Sequence, residues 1–500
     1  MTTAQIIILS EYALRNTAKE ELITMILSLR ESLKKTQEDS EIKLSALQEK
    51  LSTVEAELSQ LTQANINQAV NQPSSKKPEF AKDTKPSKQK KTRKKKREGR
   101  KGAGNRPKPI PDVVHTNTLS CCPDCQRNLV SQPVIETVSR IVEDIPPVPE
   151  KTIISEEVQE RKWCPDCAKI VSSVSEAALP RSDIGLNALC LIAYLWVVSA
   201  ISLPGITAFL NSFFRLRLST AGISRMMIRL ANMMTPVYDE ILNDVKGGTL
   251  IFADETGWRV KGVLWWLWIF ANKRSAYYWP DKQRGSPVVL KILGAVFGGV
   301  LVTDAWCAYM KIVCAKQTCM AHIFRKIRAF RDAYPQYYSI FIFYRKLRRI
   351  LSDGEKLQAA RKEVGEVVFL RRLSLLKKRL KKLLAWKNPN AILKAVIAKV
   401  KRQSAHILTF VQHEGVPTHN NYGEYIIKKG ILKRKVSGGS MSEEGVRAYA
   451  VIQSIAQTCL LRKLSLLAFL RSSLVHYIRT GKPMLLGEFE IQSINLKAAA

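Results

Sequence analysis

The chain has 500 residues, 46% of them hydrophobic, enough to bury one or more substantial cores and to exclude a wholly disordered protein. Lys and Arg number 79 against 43 Asp and Glu, a formal charge of +36, so the expected partner is a polyanion, either nucleic acid or an anionic membrane. Most of the excess sits in residues 76–108, with 16 basic and 3 acidic residues, and residues 323–403, with 23 and 5.

Met1–Ser10 is apolar but lacks a basic n-region and a small-residue cleavage site, so no signal peptide is expected. Residues 1–70 read as helical. Leu44, Leu47, Leu51, Val54, Leu58 and Leu61 alternate at spacings of three and four, the seam of a coiled coil. Leu22, Ile26, Leu29 and Leu33 keep the same alternation and join the second run across an eleven-residue step, which reads as a stutter. A coil implies a homodimer or higher oligomer; the other reading is one amphipathic helix lying on the protein's own surface. Residues 71–111 lose apolar periodicity and predict a disordered linker. Its basic run, with Lys94, Lys95, Lys96 and Arg97, is either a solvated spacer or a linker that also grips DNA phosphates.

Within residues 112–180, Cys122-Pro-Asp-Cys125 and Cys164-Pro-Asp-Cys167 are two identical knuckles separated by strand-like sequence. Four thiolates on two tight turns can close a tetrahedral shell around Zn2+, which predicts a zinc ribbon. Cys121 leaves the register of the first knuckle open, and His115 is a substitute ligand. A ribbon of this kind can serve stability alone, so it does not establish DNA contact.

Residues 181–245 predict helices. The uncharged run Ile184–Phe214 is long enough to span a bilayer by count, but Asn187, Ser199, Ser202, Asn211 and the break at Pro204-Gly205 favour two buried helices. No membrane partner is expected, and the ten cysteines fit a reducing cytosol. Ser219-Thr220 offers N-cap candidates for a following helix. The segment reads as a helix-turn-helix with Ser224, Arg225 and Arg229 facing DNA, or equally as a plain helical hairpin.

Residues 246–335 carry three strands, with turns at Lys261-Gly262 and Asn272-Lys273-Arg274, then a helix over Pro287–Leu293 and a fourth strand, GGVLVTDAW. Asp254 closes a β-branched and aromatic run, and Asp304 ends the fourth strand. Glu255 is expected on the opposite face of its strand from Asp254 and is set apart from a metal site. Residues 336–412 read as basic helices, with Lys378 and Arg379 among the residues that could hold DNA or simply face solvent.

The segments ADET, VLVTDAWCAY, CMAHIFRKIRAF and PTHNNYGEYIIKKGILKRK resemble the signature blocks of IS66 family insertion-sequence transposases, in the same order and from the coil to near the C-terminus. The resemblance implies a multidomain α/β protein with a ribonuclease-H-like catalytic core, a helical insertion, and a preceding coiled coil and zinc ribbon. It divides the core into residues 246–335 and 413–480, leaving 481–500 as a tail. It implies a DDE transposase whose Asp254, Asp304 and Glu424 hold Mg2+ or Mn2+, with Asp254 shared between two ions. Transposon-end and target DNA, accessory transposition proteins, and a bacterial, nucleoid-associated cytoplasmic location are implied with it. His322, Asn420 and Asn421 become near-site candidates; Asn420 and Asn421 serve equally as helix caps, and Cys319 beside His322 is not expected to hold metal. Lys428, Lys433 and Arg434 are candidate DNA contacts. The family block usually reads N-N-x-A-E-R, whereas Gly423 and Tyr425 flank Glu424 here, so the acid is kept but the basic residue beside it, a candidate phosphate contact, is absent. Lys435 is followed by Val436 and Ser437 rather than by an aromatic residue.

Overall fold

The computed structural model describes residues 19–71, 110–111, 114, 119–121, 123–135, 137, 152–388 and 390–499. The chain divides into two units, each assembled from separated segments: Met1–Asp83 with Ala315–His419, and Thr84–Cys314 with Asn420–Ala500.

Helix α1, Lys19–Asn71, runs unbroken for 53 residues, through the step between Leu33 and Leu44. Its seam from Leu44 to Leu61 is exposed. Strands β1, Arg161–Cys164, and β2, Lys169–Ser172, form an antiparallel hairpin with Trp163 opposite Ile170. Four helices follow: α2, Leu186–Val197; α3, Leu203–Phe214; α4, Thr220–Met233; and α5, Thr235–Lys246. The uncharged run thus forms two helices, but the break falls before Pro204 rather than at it. Ser202 Oγ accepts the Gly205 N–H at 3.3 Å, and Pro204 sits in the first turn of α3, where a missing N–H costs nothing. Ser219 Oγ caps α4 through the Gly222 N–H at 3.0 Å. No helix among the described residues is long and apolar enough to cross a membrane.

Strands β3, Leu250–Val260, and β4, Val263–Ala271, pair antiparallel around Lys261 and Gly262, both with positive φ (48° and 80°). That is the two-residue hairpin whose twist matches its strands. Strand β5, Ala276–Asp281, continues the meander; Asn272 Oδ1 accepts the N–H groups of Arg274 and Ser275 in the connecting turn. After α6, Ser286–Leu293, strand β6, Val296–Thr303, returns parallel to β3, with Phe252 opposite Val302. Gly299 is required there, because a side chain would collide with the Thr249 carbonyl. The last strand, β7, Val313–Thr318, completes a mixed sheet of order β5-β4-β3-β6-β7 and carries the chain into the other unit.

That unit contains α7, Met320–Ala333; α8, Tyr338–Ala359; α9, Glu366–Leu384; and α10, Ala391–Arg402. Leu347, Ile350, Phe369, Leu373 and Leu376 are buried along α8 and α9, while Arg345, Lys346, Arg348, Arg349, Arg371, Arg372, Lys377 and Lys378 face outward. The N-terminal part of α1 packs on α10, with Leu22, Met25 and Leu29 half-buried.

The chain re-enters the sheet unit with α11, Asn421–Ser437; α12, Glu443–Leu461; α13, Leu466–Thr480; and α14, Leu486–Ala499. The middle of α12, from Ala448 to Cys459, is buried throughout. Its hydroxyls satisfy the outer edge of β5: Ser454 Oγ accepts the Tyr278 N–H at 2.9 Å and Thr458 Oγ1 the Ala276 N–H at 3.2 Å. An edge strand covered in this way offers no free ladder for association.

Candidate active site

The parallel register of β3 and β6 pairs Phe252 with Val302, so two residues further along Asp254 and Asp304 lie level; Asp304 stands just past the end of β6, whereas Asp254, expected to close its run, is followed by more of β3, which continues to Val260. Asp254 is still within β3, where its Oδ1 accepts the Glu255 N–H at 2.9 Å. Asp304 is the first residue beyond β6, and its Oδ1 accepts the Trp306 N–H at 2.9 Å, a side-chain turn that ends the strand.

Glu424 comes from the first turn of α11, which lies across β3 and β4. Asn420 is buried at the head of that helix, but its side chain caps no helical N–H; instead Nδ2 donates to the Ala253 carbonyl at 2.9 Å, next to Asp254. Tyr278 Oη donates to the Ile426 carbonyl at 2.7 Å, and Arg434 Nη1 donates to Thr256 Oγ1 at 2.9 Å and the Gly257 carbonyl at 2.6 Å. Gly430 permits the close approach, since a Cβ there would stand 2.8 Å from a Leu267 methyl. These ties along α11 fix where Glu424 stands.

Burial is the main force holding the Asp254 carboxyl well above the usual carboxylate range, followed by the charges of Glu255, Asp304 and, more weakly, Glu424. Acids that repel one another inside protein are stable together when a cation offsets them. All-carboxylate oxygen donors fit hard divalent ions such as Mg2+ or Mn2+.

Glu255 was not among the residues expected to matter. Its side chain is 2% exposed, and its carboxylate accepts from Arg284 Nε and Nη2 and from Tyr309 Oη. Period-two alternation places it correctly on the other face from Asp254; the acidic doublet and the tryptophans at 266 and 306 were the available signals.

Arg225 and Arg229 are exposed one turn apart on α4 and line a cavity of about 490 Å3 with Tyr477; Arg229 Nη2 also donates to the Pro180 carbonyl. Lys428 and Asn421 are exposed. Lys433 corrects the expectation of a DNA contact: it is 3% exposed, its ammonium donates to the Ile201 carbonyl at 2.5 Å and lies over the Trp196 ring, and burial lowers its pKa to about 7. In the helical unit, His322 is half-buried in α7 while Lys378 and Arg379 are exposed on α9, with Arg379 paired to Asp353 at 2.7 Å.

Cys164 ends β1 and Cys167 lies in the turn before β2. The Cys164 thiol is held below its usual range, chiefly by the Cys167 backbone N–H and then by the Cys167 side chain. Gln126 and Ala168 follow the second cysteine of each knuckle, and both have positive φ, 61° and 48°. The two turns therefore share one backbone device, and their thiol donors suit Zn2+. Cys125 and Cys167 are exposed; Cys122, His115, Met1–Ser10 and the run Lys94, Lys95, Lys96 and Arg97 lie outside the described residues.

Comparison with known proteins gives one family match, described as Transposase IS66 family, over residues 181–448. A stretch of 64 residues is 30% identical to the uncharacterized protein y4jO of Sinorhizobium fredii (strain NBRC 101917 / NGR234), covering 13% of this chain and 20% of that protein. The chain thus spans about a fifth of the length of that relative.

Proposed function

Because the chain belongs to the IS66 transposase family, whose match covers more than half of its length, we propose that it is an active DDE transposase that cuts and joins DNA strands at the ends of an insertion sequence. The observation that carries this reading is that the Asp254 carboxyl, on β3, is raised by burial and then by neighbouring charges that include Asp304, just past β6, and Glu424, on α11. The order β5-β4-β3-β6-β7, with β6 parallel to β3, supports a ribonuclease-H-like core.

Asp254, Asp304 and Glu424 are the residues that would hold Mg2+ or Mn2+. Bound there, such ions would supply an activated oxygen nucleophile and offset charge on the leaving oxygen. The chain's own residues orient this set: the Glu255 and Trp306 N–H groups fix the carboxyl planes of Asp254 and Asp304, and Asn420 anchors α11 beside Asp254. The exposed basic faces of α8 and α9, with Arg225 and Arg229 on α4, hold DNA through phosphate contacts that weaken steeply with salt. The apolar seam of α1 pairs with a second copy, and the two cysteine knuckles bind Zn2+.

The test is cleavage of duplex DNA carrying the inverted repeats that flank the coding region. Asp304→Asn should abolish Mg2+-dependent cutting and leave binding of that DNA within about twofold, because phosphate contacts are made elsewhere. Full cutting by Asp304→Asn would sink the assignment. DNA binding by the unaltered protein without any cutting would favour a transposase-derived DNA-binding protein.

A further inference from the structure

We propose that Glu255, Arg284, Tyr309 and Trp306 form a brace that positions Asp254 and Asp304 for metal binding; the proposal rests on the two-metal reading of those acids. Its centre is the Glu255 carboxylate, buried on the face of β3 opposite Asp254. Glu255 Oε1 accepts from Arg284 Nε at 3.1 Å and Nη2 at 2.9 Å, and Oε2 accepts from Tyr309 Oη at 2.5 Å. The Arg284 guanidinium is clamped between two indoles, with its carbon 4.3 Å from the Trp266 ring centre and 4.2 Å from that of Trp306. Trp306 closes the circuit by donating Nε1–H to the Arg284 carbonyl at 3.4 Å.

The brace touches both acids through its backbone. Glu255 donates its N–H to Asp254 Oδ1 and Trp306 donates its N–H to Asp304 Oδ1, each at 2.9 Å. Two carboxyls that begin on different strands are thereby tied to one rigid cluster, whose side chains join β3, β4, the loop before α6 and the turn after β6. A fourth carboxylate beside Asp254 adds to the repulsion there, so mere space filling would be served better by an apolar residue. What Glu255 contributes is an acceptor that takes the two-nitrogen fork of Arg284, a geometry Lys cannot reproduce. Outer partners of this kind set metal affinity by orienting the ligands.

The experiment measures Mn2+ binding to the full-length protein without DNA by calorimetry, alongside thermal unfolding and Mn2+-dependent cleavage of end DNA. Unaltered protein should bind Mn2+ and Asp304→Asn should not. Glu255→Gln and Arg284→Lys should weaken Mn2+ binding by about tenfold or more. Cleavage by both variants should be restored by raising Mn2+, a rescue that a defect in folding or DNA contact does not show. Mn2+ binding by both variants equal to that of the unaltered protein overturns the brace. If Glu255→Gln lowers the unfolding temperature markedly, Tyr309→Phe decides: weaker Mn2+ binding with an unchanged unfolding temperature supports the proposal, and unchanged binding overturns it. Failure of the unaltered protein to bind Mn2+ removes the two-metal reading, and the brace falls with it.

Discussion

Lys433 shows how one residue's surroundings override its type. In the helix α11 it falls at the spacing of Ile426, Ile427 and Gly430, the buried face, whereas Lys428 falls outside that stripe and is exposed. The sequence IIKKGILKRK held that distinction in its periodicity, but the density of positive charge masked it. Burial lowers the Lys433 pKa from 10.5 to about 7, so between those pH values the unfolded chain carries a proton that the native state lacks. Stability should therefore rise with pH across that window, by at most about 1.4 kcal/mol per pH unit, and this contribution should be flat below it. Lys433→Met removes the slope. Urea unfolding at pH 7 and pH 10 should show the variant gaining on the unaltered protein at pH 7 and losing most of that gain at pH 10; an equal difference at both pH values would contradict the buried position.

At the scale of elements, the strands were the most legible part of the chain. Runs rich in Val, Ile, Phe and Trp with Lys261-Gly262 and Asn272 between them gave β3, β4 and β5 within a few residues, because hairpin turns are specified locally. The boundary between α2 and α3 was less legible. Proline reads as a stop, yet Pro204 begins a helix once Ser202 supplies the cap. The β1–β2 hairpin carries its own prediction, since the Cys167 N–H favours the thiolate of Cys164, the form that binds metal. Zinc measured on purified protein by atomic emission should fall to a small fraction of one equivalent in Cys164→Ser. Undiminished zinc in that variant would remove the ribbon.

For the whole molecule, the candidate site joins residues far apart in sequence, and legibility differs among them. Asp304 is readable as the end of an apolar strand and Asp254 as the end of an apolar run, though β3 continues past it, and a parallel crossover brings the two level. Glu424 is not, because it reaches β3 only through the packing of α11, after more than a hundred intervening residues of which most belong to the other unit. Resemblance to a known block supplied it, while Asn420, Tyr278 and Arg434 supply the physical reason it is held there. Glu424 is thus where sequence support is thinnest. The most direct measurement is Mg2+-dependent cleavage of the element's end DNA by Glu424→Gln. The three-acid site predicts loss of cleavage by at least about a thousandfold, with end-DNA binding retained, since the change removes charge at the reacting centre. Cleavage at the rate of the unaltered protein would contradict it.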